Sequence, residues 1–207
     1  MIGFYCDLPM TWWSNNDAAN DLCYYFADEK IKRGSGDYYE GKRRVMRGEA
    51  LRATWQSKKA ELAAGAFLYY FLRLPMVYPD FRVYPAEQKG WAPDLPYAPS
   101  EFPNVHVKSC NKHTADYVKD MSWTFQLANS EGGGGRDKLL DSDGTDVVVG
   151  VYADYPESAT YRIMMVSAFA GVRHLLCPPK KPDLVGLKLC LDYLRVKQQL
   201  TYWDIKP

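Results

Sequence analysis

The chain has 207 residues, with 26 Lys and Arg set against 25 Asp and Glu. At 47% hydrophobic and 25% charged it suits a single domain over 1–207, and a disordered tail or a fibre is excluded. Taken as one number, a net charge of +1 also argues against a general nucleic-acid binder, which is usually plainly basic.

In chain order, residues 1–45 read as an aromatic, partly basic helical extension and 46–200 as a core. Asn15-Asn16-Asp17 is a cluster of helix N-caps, so a short helix is expected over Ala18 to Phe26, with a turn at Gly34-Ser35-Gly36. Leu51, Trp55, Leu62, Ala66 and Tyr69/Tyr70 recur at helical spacing and predict a long helix, roughly Arg44 to Arg73. Its small-residue half, Ala60 to Ala66, is suited to lie close against a neighbour. Short strands are expected at Phe81 to Tyr84 and, interrupted by Pro93 and Pro96, at Trp91 to Tyr97. Asn104 to Cys110 is the cleanest strand, with valines on one face. Thr114 to Ala128 reads equally as helix or strand, and Ser130 to Asp146, with four glycines at 132–135, as a flexible loop. Asp146 to Tyr152 is a buried strand, Tyr161 to Phe169 another, and Leu184 to Lys197 a terminal helix. The expected class is mixed α/β (α+β), built on a mixed central sheet.

Five cysteines, widely spaced and without a CxxC pair, give little support to a disulfide framework, and a reducing compartment is expected. Met1 to Met10 lacks a basic start and carries Asp7 and Pro9, unlike a secretory signal. The longest apolar run, Leu62 to Leu72, is too short for a bilayer. A cytoplasmic protein without a membrane partner is expected.

The chemistry concentrates in Pro93-Asp94, a spacer of eleven residues, and His106-Val107-Lys108. On a strand, residues 106 and 108 project from one face while Val105 and Val107 face the core. An irregular strand alongside would bring the Asp94 carboxylate to His106 and Lys108. A carboxylate, a second ligand and a lysine on one patch are what metal-assisted phosphodiester hydrolysis uses.

These residues resemble the PD-(D/E)XK nuclease superfamily, the restriction-endonuclease-like fold, over roughly Ala60 to Tyr152. Pro93-Asp94 matches the PD half, and His106-Val107-Lys108 occupies the (D/E)xK half. The element order is similar to that fold's αβββαβ core. The resemblance implies a metal-dependent endonuclease acting on DNA, with Asp94, Lys108, His106 and Glu61 catalytic. Glu61 matches the glutamate that members often carry on the preceding helix. Glu61, Asp94 and His106 would hold Mg2+ or Mn2+. Gln126 resembles a polar residue that some members place after the lysine strand. Cutting both strands implies a homodimer, since one site cuts one strand. Histidine stands where the family has an acid, and imidazole suits Mn2+ or Zn2+ better than Mg2+. A non-catalytic DNA-binding or virus-associated structural protein on the same fold is the alternative.

Dividing the charge reverses the opening inference. Residues 30–59 hold ten Lys and Arg against three acids, so this segment is +7 and the remainder −6. Lys32, Arg33, Lys42, Arg43, Arg44, Arg47, Arg52 and Lys58, interleaved with Tyr38 and Tyr39, are the expected DNA contacts. The bland reading is a solvated helix face. Asp141 to Asp146 lacks the ligand run of a calcium loop and reads as a polar turn. The 132–135 glycines carry no Gly-Lys-Ser/Thr and suit a hinge. Cys110, His113 and Cys177 have unpersuasive spacing for zinc, and His174 reads as structural.

Overall fold

A computed structural model describes residues 3–9, 17–33, 38–40, 43–84, 93–96, 103–111, 121–127, 136–153 and 161–205. Two strands open it, β1 (Gly3–Tyr5) and β2 (Leu8–Pro9), followed by helix α1 (Asp17–Arg33). A hairpin of β3 (Tyr38–Glu40) and β4 (Arg43–Val45) leads into the long helix α2 (Arg47–Leu72). Then come β5 (Val105–Asn111), β6 (Ser122–Gln126), a 3-10 turn (Lys138–Asp141), β7 (Val147–Ala153) and β8 (Tyr161–Ala168). Helix α3 (Phe169–Val172), two further 3-10 turns (Arg173–Leu175 and Pro182–Leu184), β9 (Lys188–Asp192), helix α4 (Tyr193–Gln199) and β10 (Thr201–Tyr202) complete the described elements.

The main sheet runs β10-β1-β8-β7-β5, with β2 also paired to β8. β5 lies parallel to β7, while β7 and β8, and β8 and β1, are antiparallel. The sheet is therefore mixed and the class is α+β, as expected. The β-branched run Val147-Val148-Val149 lies on an interior strand, with Val149 buried on one face and Val148 on the other.

Strand alternation sends Val105, Val107, Val149, Val151 and Ile163 to one face, against Ala60, Ala63, Ala64 and Phe67 of α2. The other face packs Val148, Met164 and Met165 against Trp123, Phe125, Leu139 and Tyr193. Met164 and Met165 share a face because the β7–β8 register slips between Gly150 and Val151, leaving an extra residue on β8. Two glycines permit the closest approaches. A Cβ on Gly65 would stand 2.7 Å from the Val77 carbonyl oxygen, and one on Gly150 2.7 Å from the Trp123 ring. Helix α2 ends at Arg73, in the left-handed region with φ 58°, and Pro75 prevents its continuation.

Several expected elements differ. The first helix runs on to Arg33, because Ala27, Ile31 and the other buried positions continue its inward face. Phe81 to Tyr84 forms no strand: Asp80 binds Arg82 and Tyr84 locally, and this turn replaces a ladder. Of Trp91 to Tyr97, the described residues contribute a single bridge, Leu95 to Val105. The Thr114 to Ala128 region contains a strand at Ser122–Gln126, paired with β9. That pairing claims Lys188–Asp192, so the expected terminal helix shortens to Tyr193–Gln199, capped by the Asp192 carboxylate. The N-terminal strands β1 and β2 were not legible beforehand. Gly34-Ser35-Gly36 and the 132–135 glycines lie outside the described residues.

Candidate active site

β5 lies at one end of the sheet, and its outer edge is occupied by the Pro93-Asp94-Leu95 segment. The Leu95 N–H donates to the Val105 carbonyl at 3.1 Å, and the Val107 N–H donates to Asp94 Oδ2 at 2.7 Å. A carboxylate oxygen thus stands where a neighbouring strand would supply a carbonyl. Among the described residues, the second Asp94 oxygen makes no hydrogen bond.

His106 and Lys108 project from the face of β5 opposite α2, as alternation requires. His106 Nε2 lies 3.6 Å from Asp146 Oδ2, and Asn104 Nδ2 donates to Asp146 Oδ1 at 3.2 Å. Burial pushes the His106 imidazole down from its usual value, against the opposing pull of Asp94 and Asp146. Lys108 is ion-paired with Asp137 Oδ2 and lies 5.1 Å from the centre of the Phe125 ring. Asp137 is fixed on both sides: its Oδ1 accepts from Leu139 N at 3.1 Å, and its N–H donates to the Gln126 carbonyl at 2.9 Å. Gln126 therefore supports the lysine's partner through its backbone.

Glu61 arrives from α2, 5% exposed among Ala60, Ala63 and Ala64. Lys58, one helical turn earlier, forms an ion pair with its Oε2. Burial still pushes the Glu61 carboxyl up to about 7; Lys58 opposes that shift and the Asp94 charge adds to it. Glu61 and Asp94 therefore feel one another, as do Asp94, His106 and Lys108.

The basic segment is arranged differently from the expected open stripe. Lys32 Nζ pairs with Asp28 at 2.5 Å and Glu29 at 3.4 Å, Arg33 with Glu29 at 3.5 Å, and Arg47 with Asp28 at 3.9 Å. Asp28 and Glu29 lie on the same helix as Lys32 and Arg33, immediately before the basic segment. Arg52 is exposed. Lys58 turns inward, its side chain 12% exposed, over the Phe26 ring at 4.9 Å. Lys42 and the side chains of Arg43 and Arg44 lie outside the described residues.

The donors suit a divalent cation in kind: two mutually repelling carboxylates are what such an ion relieves, and an imidazole is the third donor type. Among the described residues, however, no three His, Cys, Asp or Glu side chains stand close enough to form a metal-holding group. Asp137 and Asp146 were missed in the sequence. The signal lay in position, since Asp146 immediately precedes a strand that pairs in register with the His-Val-Lys strand. Asp141 and Asp143 behave as a polar turn, binding Arg136 and Thr145. Cys110 is buried, His174 is exposed, Cys177 faces Cys190, and His113 lies outside the described residues.

Among the described residues, no helix is long and apolar enough to cross a membrane. Comparison of the chain with protein-family models, with curated proteins and with solved structures returns no match.

Proposed function

We propose that the chain is a metal-dependent endodeoxyribonuclease with a restriction-endonuclease-like site. The observation that carries this reading is the Asp94 hydrogen bond to Val107 N at 2.7 Å, which ties the Pro-Asp half of the motif to the strand bearing His106 and Lys108. Glu61 adds support: burial raises its carboxyl, and the Asp94 charge adds a smaller push in the same direction. Glu61, Asp94 and His106 would hold Mg2+ or Mn2+ only if Lys58 left Glu61 and the three side chains moved closer than they stand here. Such an ion, when bound, polarises a phosphoryl oxygen and lowers the pKa of a water.

The chain's own residues do the rest. Lys108, released from Asp137 by an incoming phosphate, stabilises charge developing on the phosphoryl or leaving oxygen. Asp137 holds that ammonium in place until then, and Asp146 stands beside His106 at 3.6 Å. Arg52, with Lys32, Arg33 and Arg47 once freed from their acids, contacts DNA phosphates. A homodimer would provide one site per strand. The decisive experiment is nicking of supercoiled plasmid with Mg2+ or Mn2+, comparing the native chain with Asp94→Asn and Lys108→Met. Both substitutions should abolish nicking, and activity that survives both removes this site from the reaction.

One observation favours a second reading. Glu61 and Lys108 are already neutralised, by Lys58 and Asp137, which is how a non-catalytic DNA-binding or virus-associated structural protein on the same scaffold would settle its buried charges. Retarded DNA migration without nicking under either metal would support that alternative.

A further inference from the structure

Cys177 and Cys190 face one another across an antiparallel bridge outside the main ladders. Each backbone N–H donates to the other's carbonyl, at 2.9 Å from Cys177 and 2.8 Å from Cys190. A hydrogen-bonded pair of this kind holds its Cα atoms about 5.5 Å apart with both side chains on one face. Disulfides join Cα atoms about 4.4–6.8 Å apart. The Cys177 thiol already lies over its partner, donating to the Cys190 carbonyl at 3.5 Å. Both thiols are free, Cys177 half-buried and Cys190 buried.

We propose that Cys177 and Cys190 form a reversible oxidation site at which a hydroperoxide converts two thiols into an intrachain disulfide. The more exposed Cys177 sulfur, as its thiolate, attacks the hydroperoxide oxygen. The O–O bond breaks, and the second oxygen leaves with a proton as water or an alcohol. The Cys190 sulfur then attacks the resulting sulfenic acid, the S–O bond breaks, and the hydroxyl leaves as water with the Cys190 proton. Two electrons pass from the two thiols to the hydroperoxide.

The remaining cysteines are poor competitors. Burial pushes the Cys6 and Cys23 thiols up to about 12, and Cys110 is a buried residue of β5. Cross-strand Cβ atoms stand about 4.5–5.5 Å apart, wider than the ~3.8 Å mean of a relaxed disulfide. Closing the bond therefore draws the strands together, and the strain favours ready reduction. The bond would tether residue 177 to β9, thirteen residues on.

The test is brief treatment of the full chain with a small excess of hydrogen peroxide, then alkylation under denaturing conditions and peptide mapping. Two of the five thiols should resist alkylation, a Cys177–Cys190 cross-linked peptide should appear, and dithiothreitol should restore both. Cys190→Ser should instead leave Cys177 as a sulfenic acid that dimedone traps. The proposal is overturned by five alkylatable thiols after treatment, by a cross-link involving another cysteine, or by Cys177 passing to the sulfinic acid while Cys190 stays alkylatable. None of these outcomes depends on nuclease activity.

Discussion

The Asp94 carboxylate replaces a strand in its contact with Val107, accepting that residue's N–H at 2.7 Å on the outer edge of β5. One side chain therefore serves the sheet and the candidate site together, and substitutions at it separate the two roles. Asp94→Asn keeps an oxygen for Val107 and should cost under ~1 kcal/mol in urea unfolding while reducing plasmid nicking at least ~100-fold. Asp94→Ala leaves the N–H without its acceptor and should cost about 1–3 kcal/mol.

Glu61 makes stability depend on pH in an unusual direction. Its carboxyl rises from the ordinary 4.5 to about 7 in the folded chain, so between these values the folded state holds more protons than the unfolded one. This group's contribution to unfolding free energy therefore falls as pH rises through that window, by on the order of 3 kcal/mol. Urea titrations from pH 4 to 8 should show the decline, and Glu61→Gln should remove it. An unchanged slope in Glu61→Gln would assign the dependence to other groups.

Lys58 holds the position beside Glu61 that a cation would take. Lys58→Met should tighten Mn2+ binding several-fold by calorimetry, since the ion no longer displaces an ammonium. With His106 contributing, Mn2+ should support nicking at least as well as Mg2+. A clear Mg2+ preference would count against His106 as a ligand.

DNA affinity should respond to acids as well as to bases. Lys32, Arg33 and Arg47 share Asp28 and Glu29, so binding must first break these exposed pairs. Asp28→Asn with Glu29→Gln should strengthen DNA binding and steepen its loss with salt. A salt slope unchanged from the native chain would show that phosphates are met elsewhere.

Gly150 tests the packing beneath Lys108. A Cβ there meets the Trp123 ring at 2.7 Å, so Gly150→Ala should cost about 1–3 kcal/mol in urea unfolding.

The sequence was most readable where periodicity and burial agree. The valines of β5 and β7 and the alanines of α2 could be assigned because each element presents a regular apolar face to one core. The pairing of Asp94 with β5 was also foreseeable, from two prolines that forbid a regular ladder beside a clean strand. What stayed hidden depends on distant partners. β1 is three residues long and exists only because β8 and β10 flank it. Lys188–Asp192 continues a helical pattern and becomes a strand because β6 pairs with it. Asp137 and Asp146 join Lys108 and His106 through contacts spanning tens of residues, which no local spacing encodes. The charge of residues 30–59 misled for a simpler reason, since its counter-charges sit one turn earlier on α1.

The position of β1 also governs when this fold can form. It pairs with β8 near residue 167 and with β10 near residue 201, so the sheet joins strands almost 200 residues apart in the chain. Closing so large a loop is an entropic barrier met before any of those contacts reward it. During synthesis β1 has no partner until β8 is made, and its outer edge stays open to pairing by any other extended segment until β10 follows. Refolding should accordingly be slow and concentration-sensitive, because the unfinished sheet edge is where one chain can capture another.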